Sequence, residues 1–329
     1  MGPDIKRLIL IVGPTGVGKS AAAMALAGAI GGEIINCDSM QVYQRFDIGT
    51  DKPSPEDRLK VPHHLLDIVD GFTQFTAADF AARALDAIEA ILLRKNLPFV
   101  VGGTGLYFKA LLDGLFPGPG RDEETRRTLE QEAEKMGLEP LWKRLEAVDP
   151  VYAKKIGKKD KIRIIRALEI YALTLTPISE HFLRTKSGLE DFHILKIGLK
   201  LPREELYRRI EARVDRMFER GLLREVQELL AAGVDEKAPP FRALGYKYVL
   251  KLVRNEITLE EAVALTKIDT RHYAKRQMTW FAKMKDVHWY SPNDLPAIAY
   301  FLEKNLESQD NIIDNPSASP FNKGGRAGI

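Results

Sequence analysis

Cysteine is nearly missing from this chain. Cys37 is the only one in 329 residues, so an intrachain disulfide and a cluster of thiolate metal ligands are both excluded, and the composition suits a reducing, cytoplasmic setting. Long apolar stretches are missing too. The first apolar run, Leu8 to Val12, has five residues, too few for a signal-peptide core or a membrane span, so a soluble protein without a membrane partner is expected. Charge of one sign is scarce overall: 49 Lys and Arg stand against 46 Asp and Glu, a net +3, and no polyanionic partner follows from the total. No internal repeat is visible.

The local distribution of charge is more informative. Lys154, Lys155, Lys158, Lys159, Lys161, Arg163 and Arg166 face a single acid, Asp160; Arg271, Lys275, Arg276, Lys283 and Lys285 face none and alternate with His272, Tyr273, Trp280 and Phe281. Either run alone reads as a solvated helix face. Two of them with aromatics between suit a nucleic-acid surface.

Periodicity places a strand at Leu8–Val12, an alanine-rich helix at Lys19–Ile30, strands at Glu33–Cys37 and Leu97–Val101, and a helix from about Thr76 to Arg94. Alternating strands and helices predict an α/β fold, a P-loop NTPase-like parallel sheet with flanking helices. At Phe116-Pro-Gly-Pro-Gly the pattern breaks, and the chain is charged and helical in period to about Gly188. Strand-like alternation returns at His193–Leu201, and Pro202 opens one long helix predicted to end near Gly233. The organisation expected is a first core segment over residues 1–115, a helical insertion over 116–190, the rest of the core with C-terminal helices over 191–308, and a disordered tail over 309–329.

The strongest motif is Gly13-Pro-Thr-Gly-Val-Gly-Lys19-Ser20, which satisfies G-x-x-x-x-G-K-[ST] between a strand and a helix. Successive N–H groups of Gly13, Thr15, Gly16, Val17 and Gly18 curl around an anion, the helix adds its positive dipole end, Lys19 adds a charge, and the Ser20 hydroxyl is placed to ligate Mg²⁺. The loop does not say whether the phosphate belongs to a nucleotide or a pyrophosphate ester. Asp38 follows the second strand at the carboxyl edge of the sheet, where open α/β folds bind ligands; its structural alternative is a cap on the next turn. The next long apolar strand runs into Gly102-Gly103-Thr104-Gly105, so the metal-binding aspartate usual in ATPases is missing there.

The phosphate loop, Asp38-Ser-Met-Gln-Val-Tyr43, Asp47-Ile-Gly-Thr50, Pro62-His-His-Leu-Leu-Asp67, Val101-Gly-Gly-Thr-Gly-Leu-Tyr-Phe108, Arg166-Ala-Leu-Glu169, Arg242-Ala-Leu-Gly-Tyr246 and Ala274-Lys-Arg-Gln277 together resemble the bacterial tRNA dimethylallyltransferase family. The likeness extends to about residue 300. Eukaryotic relatives add a zinc finger, for which this sequence has no Cys/His pair, so the bacterial type fits better.

The resemblance implies transfer of a dimethylallyl group from dimethylallyl pyrophosphate to N6 of the adenosine at tRNA position 37, with Mg²⁺, the anticodon stem-loop as partner, and a monomeric enzyme. It implies that Asp38 engages the amino group, that Thr104 contacts the nucleotide or the leaving phosphate, and that Arg213 reaches the pyrophosphate. Arg209, Arg213, Arg216 and Arg220 recur at helical spacing beside Leu206, Ile210, Val214 and Met217. Ser39, Met40 and Gln41 would line the wall around a flipped base. Further tRNA contacts are expected at Arg126, at Ile162, Arg163, Ile164, Ile165 and Arg166 with Lys158 and Lys161, at Arg242, Gly245, Tyr246 and Lys247, and at Arg271, Lys275, Arg276 and Gln277. Two other classes stay open on the residues alone. A small-molecule kinase would use the same loop for ATP, and an RNA-binding module could carry it as a relic.

Overall fold

The computed structural model describes residues 5–116 and 118–307; the expected tail over 309–329 lies outside them. The chain groups into two units. One runs through Lys109 and resumes at Asp191, and the other is Ala110–Glu190.

The first unit opens with β1 (Lys6–Val12), α1 (Lys19–Ile30), β2 (Gly32–Cys37), α2 (Pro55–Lys60), β3 (His63–His64), α3 (Ala77–Leu93), β4 (Leu97–Gly102) and α4 (Gly105–Asp113), which leads into the second unit. That unit holds α5 (Glu123–Met136), α6 (Glu139–Val148), α7 (Pro150–Lys155), α8 (Lys161–Thr174) and α9 (Ile178–Leu183), with no strand among its described residues. The first unit then continues with β5 (Phe192–Leu199), α10 (Arg203–Glu219), α11 (Leu222–Ala231), a 3₁₀ turn at Pro239–Arg242, α12 (Leu244–Val253), α13 (Leu259–Phe281), β6 (Val287–Tyr290) and α14 (Leu295–Glu307).

Six strands form one parallel sheet in the order β3-β2-β4-β1-β5-β6. Leu8 to Val12 are fully buried, as a continuous apolar strand covered on both faces must be; each such side chain contributes about 1.5–3 kcal/mol of transfer free energy. In register, Cys37 of β2 and Val12 of β1 both lie opposite Gly102 of β4. The segments leaving β2, β4 and β1 therefore emerge side by side at the carboxyl edge. Thr76 closes a capping box with Asp79 at the start of α3, as the expected helix boundary requires.

The single helix predicted from Pro202 to Gly233 is two helices. Gly221, at φ 95, breaks it and becomes the N-cap of α11; an apolar recurrence from Phe218 to Leu222 runs across the break, which is why periodicity alone missed it. Two short strands, β3 and β6, also escaped the sequence reading, being only two and four residues long. The second unit has a core of its own built on Leu129, Trp142, Leu145, Ile164, Ile165 and Leu168. Among the described residues no helix is long and apolar enough to cross a membrane.

Candidate active site

Because β4 lies between β2 and β1, three loops distant in sequence converge: the phosphate loop after β1, Asp38 after β2, and Gly103–Thr104 after β4. The phosphate loop is shaped by its glycines. Gly16 sits at φ 78, and a Cβ there would come within 2.8 Å of the Ile210 side chain of α10, so only glycine suits both the turn and the close packing. Lys19 donates to the Pro14 carbonyl at 2.8 Å across the loop. Burial lowers the Lys19 ammonium to about 7, with a further push from Arg213; Asp38 and Cys37 oppose these. An anion placed against Lys19 would favour its protonated form.

Thr104 organises the segment that follows β2: its hydroxyl accepts the Ser39 N–H at 3.2 Å, and it lies near the Tyr273 hydroxyl. Asp38 accepts the N–H groups of Met40 at 2.8 Å and Gln41 at 3.3 Å, both on Oδ1. Oδ2 is left without a hydrogen-bond partner among the described residues. Burial, and then the negative Asp38, push the Tyr273 phenol up to about 12, with Thr104 opposing them.

Arg213 extends from α10 beside the buried apolar stripe Leu206, Ile210, Val214 and Met217, and it lines the site together with Val214 and Met217. Its Nη1 donates to Thr15 Oγ1, and its Nε lies 2.9 Å from Asp51 Oδ2. That Nε is nonetheless buried without an aligned hydrogen-bond acceptor, so the Asp51 contact is an ion pair and not a well-formed hydrogen bond.

Two cavities meet here. The larger, about 690 Å³, is lined by Thr15, Gly16, Gly18, Lys19, Ser20, Asp38, Gln41, Gln277 and the α10 arginines Arg208, Arg209, Arg213 and Arg216. The smaller, about 260 Å³, is lined by Ser39, Met40, Gly49, Val214, Met217, Arg242, Leu244, Gly245 and Thr270. Thr15, Asp38, Arg213 and Tyr273 border both. One chamber is cationic and the other largely apolar, with a carboxylate where they join. Ser20 lines the cationic chamber, and no group of three or more His, Cys, Asp or Glu able to hold a metal occurs among the described residues.

The structure gives several expected contact residues another task. Gln277, read as a tRNA contact, is buried; its Oε1 accepts the Thr15 N–H at 2.8 Å and its Nε2 donates to the Gly103 carbonyl at 2.8 Å. A Cβ at Gly103 would meet that amide at 2.2 Å, so glycine makes room for the tie. Gln41 lies on the cationic side and donates to the Thr50 and Asp51 carbonyls. Tyr246 is fully buried and its hydroxyl donates to Glu225 at 2.5 Å, while the same carboxylate accepts the N–H groups of Asp47, Ile48 and Gly49. Lys247 is paired with Asp269, and Arg271 with Glu211. Arg242, Lys275 and Arg276 are exposed, with Arg276 over the Tyr273 ring.

In the second unit, Ile162 and Arg163 are exposed, whereas Ile164 and Ile165 are core residues whose side chains offer no surface. Arg166 bonds the Pro119 and Gly120 carbonyls and pairs with the buried Glu169; Arg126 lies 3.8 Å from Glu130. Lys158 sits over the Trp142 ring, and Lys161 is 3.8 Å from Glu134. Sequence reasoning missed Tyr273, Asp51 and the tie made by Gln277. Only Tyr273 carried a signal, as an aromatic inside a basic run.

The IPP transferase family model matches residues 41–284. The tRNA dimethylallyltransferase 2 of Geotalea uraniireducens is 51% identical over 290 residues, covering 88% of this chain and 93% of that protein, and the tRNA dimethylallyltransferase of Geobacter metallireducens is 49% identical over 283, covering 86% and 92%. Among solved structures, the tRNA isopentenylpyrophosphate transferase of Bacillus halodurans superposes with a TM-score of 0.69 at 38% identity, covering 93% of this chain and 99% of that one. A eukaryotic dimethylallyltransferase acting on tRNA superposes with a TM-score of 0.76 at 32% identity, covering 93% and 80%. With most of its length inside the family match and relatives about half identical along nearly their whole length, this chain belongs to the IPP transferase family.

Proposed function

We propose that this protein transfers the dimethylallyl group of dimethylallyl pyrophosphate to N6 of the adenosine at tRNA position 37, beside the anticodon, and releases pyrophosphate. The observation that carries the reading is the meeting of a cationic and an apolar cavity at Thr15, Asp38, Arg213 and Tyr273. The relatives, by their names, act on tRNA with the same group.

In this reading pyrophosphate lies in the phosphate loop, contacted by Lys19, Arg213 and the N–H groups of Gly13 and of Gly16 through Ser20; the Thr15 N–H is held by Gln277. These are fixed where negative charge collects as the allylic C–O bond breaks. The adenosine N6 enters from the apolar chamber and forms the new N–C bond, and its proton passes to the free oxygen of Asp38. The pairing of Asp38 Oδ1 with two backbone N–H groups holds the carboxylate in place for that transfer. A base inside a stacked loop cannot reach this point, so it must be flipped out. Mg²⁺ fits the cationic chamber, because it takes few protein oxygens and keeps phosphate oxygens and waters as its remaining ligands. Ser20 would hold it, and when bound it would neutralise charge on the departing pyrophosphate.

The exposed Lys158 and Arg163 and the half-buried Lys161 of the second unit, and the exposed Arg242, Lys275 and Arg276 of the first, would track the phosphates of the anticodon stem-loop. The enzyme would work as a monomer in the cytoplasm, where tRNA is found; the relatives named as acting on tRNA support that setting. Incubation with labelled dimethylallyl pyrophosphate and bulk bacterial tRNA, with ATP turnover as control, tests the assignment. Label in tRNA nucleoside is expected; ATP consumption without label would favour a kinase.

A further inference from the structure

We infer that Asp51 is a built-in counter-ion of the phosphate pocket, an internal anion that occupies Arg213 until pyrophosphate displaces it and so weakens the binding and speeds the release of pyrophosphate compounds. The inference rests on the pyrophosphate reading of the site given above. Three observations lead to it.

The first is position. Asp51 borders the cationic cavity together with Lys19 and Arg213, and its carboxylate pairs with Arg213 Nε at 2.9 Å and with Arg220 Nη1 at 3.6 Å. The second is geometry. Charge is matched at Arg213, yet the buried Nε–H has no aligned acceptor, so a ligand oxygen that approaches along that bond gains a hydrogen bond that Asp51 does not supply. The carboxylate therefore holds the arginine without saturating it.

The third is that only the side chain has to move. The Asp51 N–H donates to the Ile48 carbonyl, and Gln41 Nε2 donates to the Asp51 carbonyl at 3.1 Å. The adjacent Lys52 is buried and bonded to the Tyr43 carbonyl, Asp47 and Asp67. With the backbone pinned on both sides, the half-exposed carboxylate can rotate away from Arg213 and keep Arg220. The exchange is one anion for another at the same guanidinium, with no loop rearrangement.

The test is Asp51→Asn. The residue adopts φ 56, a left-handed conformation that asparagine tolerates well, so the backbone is kept while the competing charge goes. Calorimetric titration of the wild type and the variant with inorganic pyrophosphate, with and without Mg²⁺, is expected to show tightening by about fivefold, the upper range for loss of a half-exposed ion pair. The KM for dimethylallyl pyrophosphate should fall by a similar factor with no rise in kcat. A merely structural aspartate could not produce a gain in affinity. Equal affinities in the two proteins would overturn the counter-ion role, and weaker binding by the variant in Mg²⁺ would overturn it in favour of a metal ligand. If the wild type bound no pyrophosphate at all, the phosphate-site reading would fall and the inference with it.

Discussion

Lys19 gives the sharpest quantitative test of the phosphate site. Its ammonium is buried, and desolvation with the Arg213 charge outweighs the favourable Asp38 charge, leaving it near 7. At pH 8 only about one lysine in ten is then protonated. A bound pyrophosphate supplies several negative oxygens and restores the full charge, so binding at pH 8 should take up about 0.9 proton, and about 0.1 at pH 6. The affinity should correspondingly weaken on the order of fiftyfold between pH 7 and pH 9. The titrant should be the monoester dimethylallyl pyrophosphate, whose last ionisation, near about pH 6, lies below this window, because inorganic pyrophosphate has a further ionisation within it. Titration calorimetry in buffers of different ionisation enthalpy measures the uptake directly, and Lys19→Met should abolish it. The same shift has a folding consequence of fixed sign. Between about 7 and 10.5 the unfolded chain holds the Lys19 proton that the folded one has lost. The stability of the empty protein should therefore rise with pH across that window, and the rise should vanish with pyrophosphate bound. Uptake near zero at pH 8, with an affinity flat from pH 7 to 9, would refute the reasoning.

Other outcomes follow from the remaining residues. Asp38→Asn should lower turnover about a hundredfold or more while pyrophosphate binding stays nearly intact; wild-type turnover in a single-turnover assay would remove the base role. Gln277→Leu strands the Thr15 N–H and the Gly103 carbonyl, and should cost roughly 2–4 kcal/mol in urea unfolding and weaken pyrophosphate binding; an unchanged midpoint would show that water replaces the amide. Joint neutralisation of Lys158, Lys161 and Arg163 should flatten the salt dependence of stem-loop binding by roughly one unit per lost contact without changing which adenosine is modified. An unchanged slope would leave that run a solvated face.

The parts of this protein legible in its sequence were those set by local chemistry. The continuous apolar run Leu8–Val12, the glycine-shaped loop before Lys19 and the Thr76 cap each follow from a few adjacent residues. The break at Gly221 was missed because Phe218 and Leu222, four residues apart, carry an apolar recurrence across it, although the buried stripe jumps by five from Met217 to Leu222. The tie made by Gln277 was missed for a different reason. Its partner Thr15 lies 262 residues away, and a polar residue inside a basic helix gives no local sign that it faces the core. Ile164 and Ile165 make the same point in reverse: membership in a contact motif did not say which way each side chain turns.

Asp38 caps the turn after β2, and that role is compatible with the catalytic base of the proposed function. A carboxylate on a flexible side chain loses rotamer freedom whenever it must meet a substrate proton, and that cost slows the step it serves. Here one oxygen is spent on the N–H groups of Met40 and Gln41, which fixes the side chain before any substrate arrives. The strand order then sets this capped carboxylate beside Thr104 and the phosphate loop, where the cationic and apolar chambers share a border. In the proposed reaction the cap would give the base its direction, since a partner on only one of the two carboxylate oxygens leaves the other for the substrate proton.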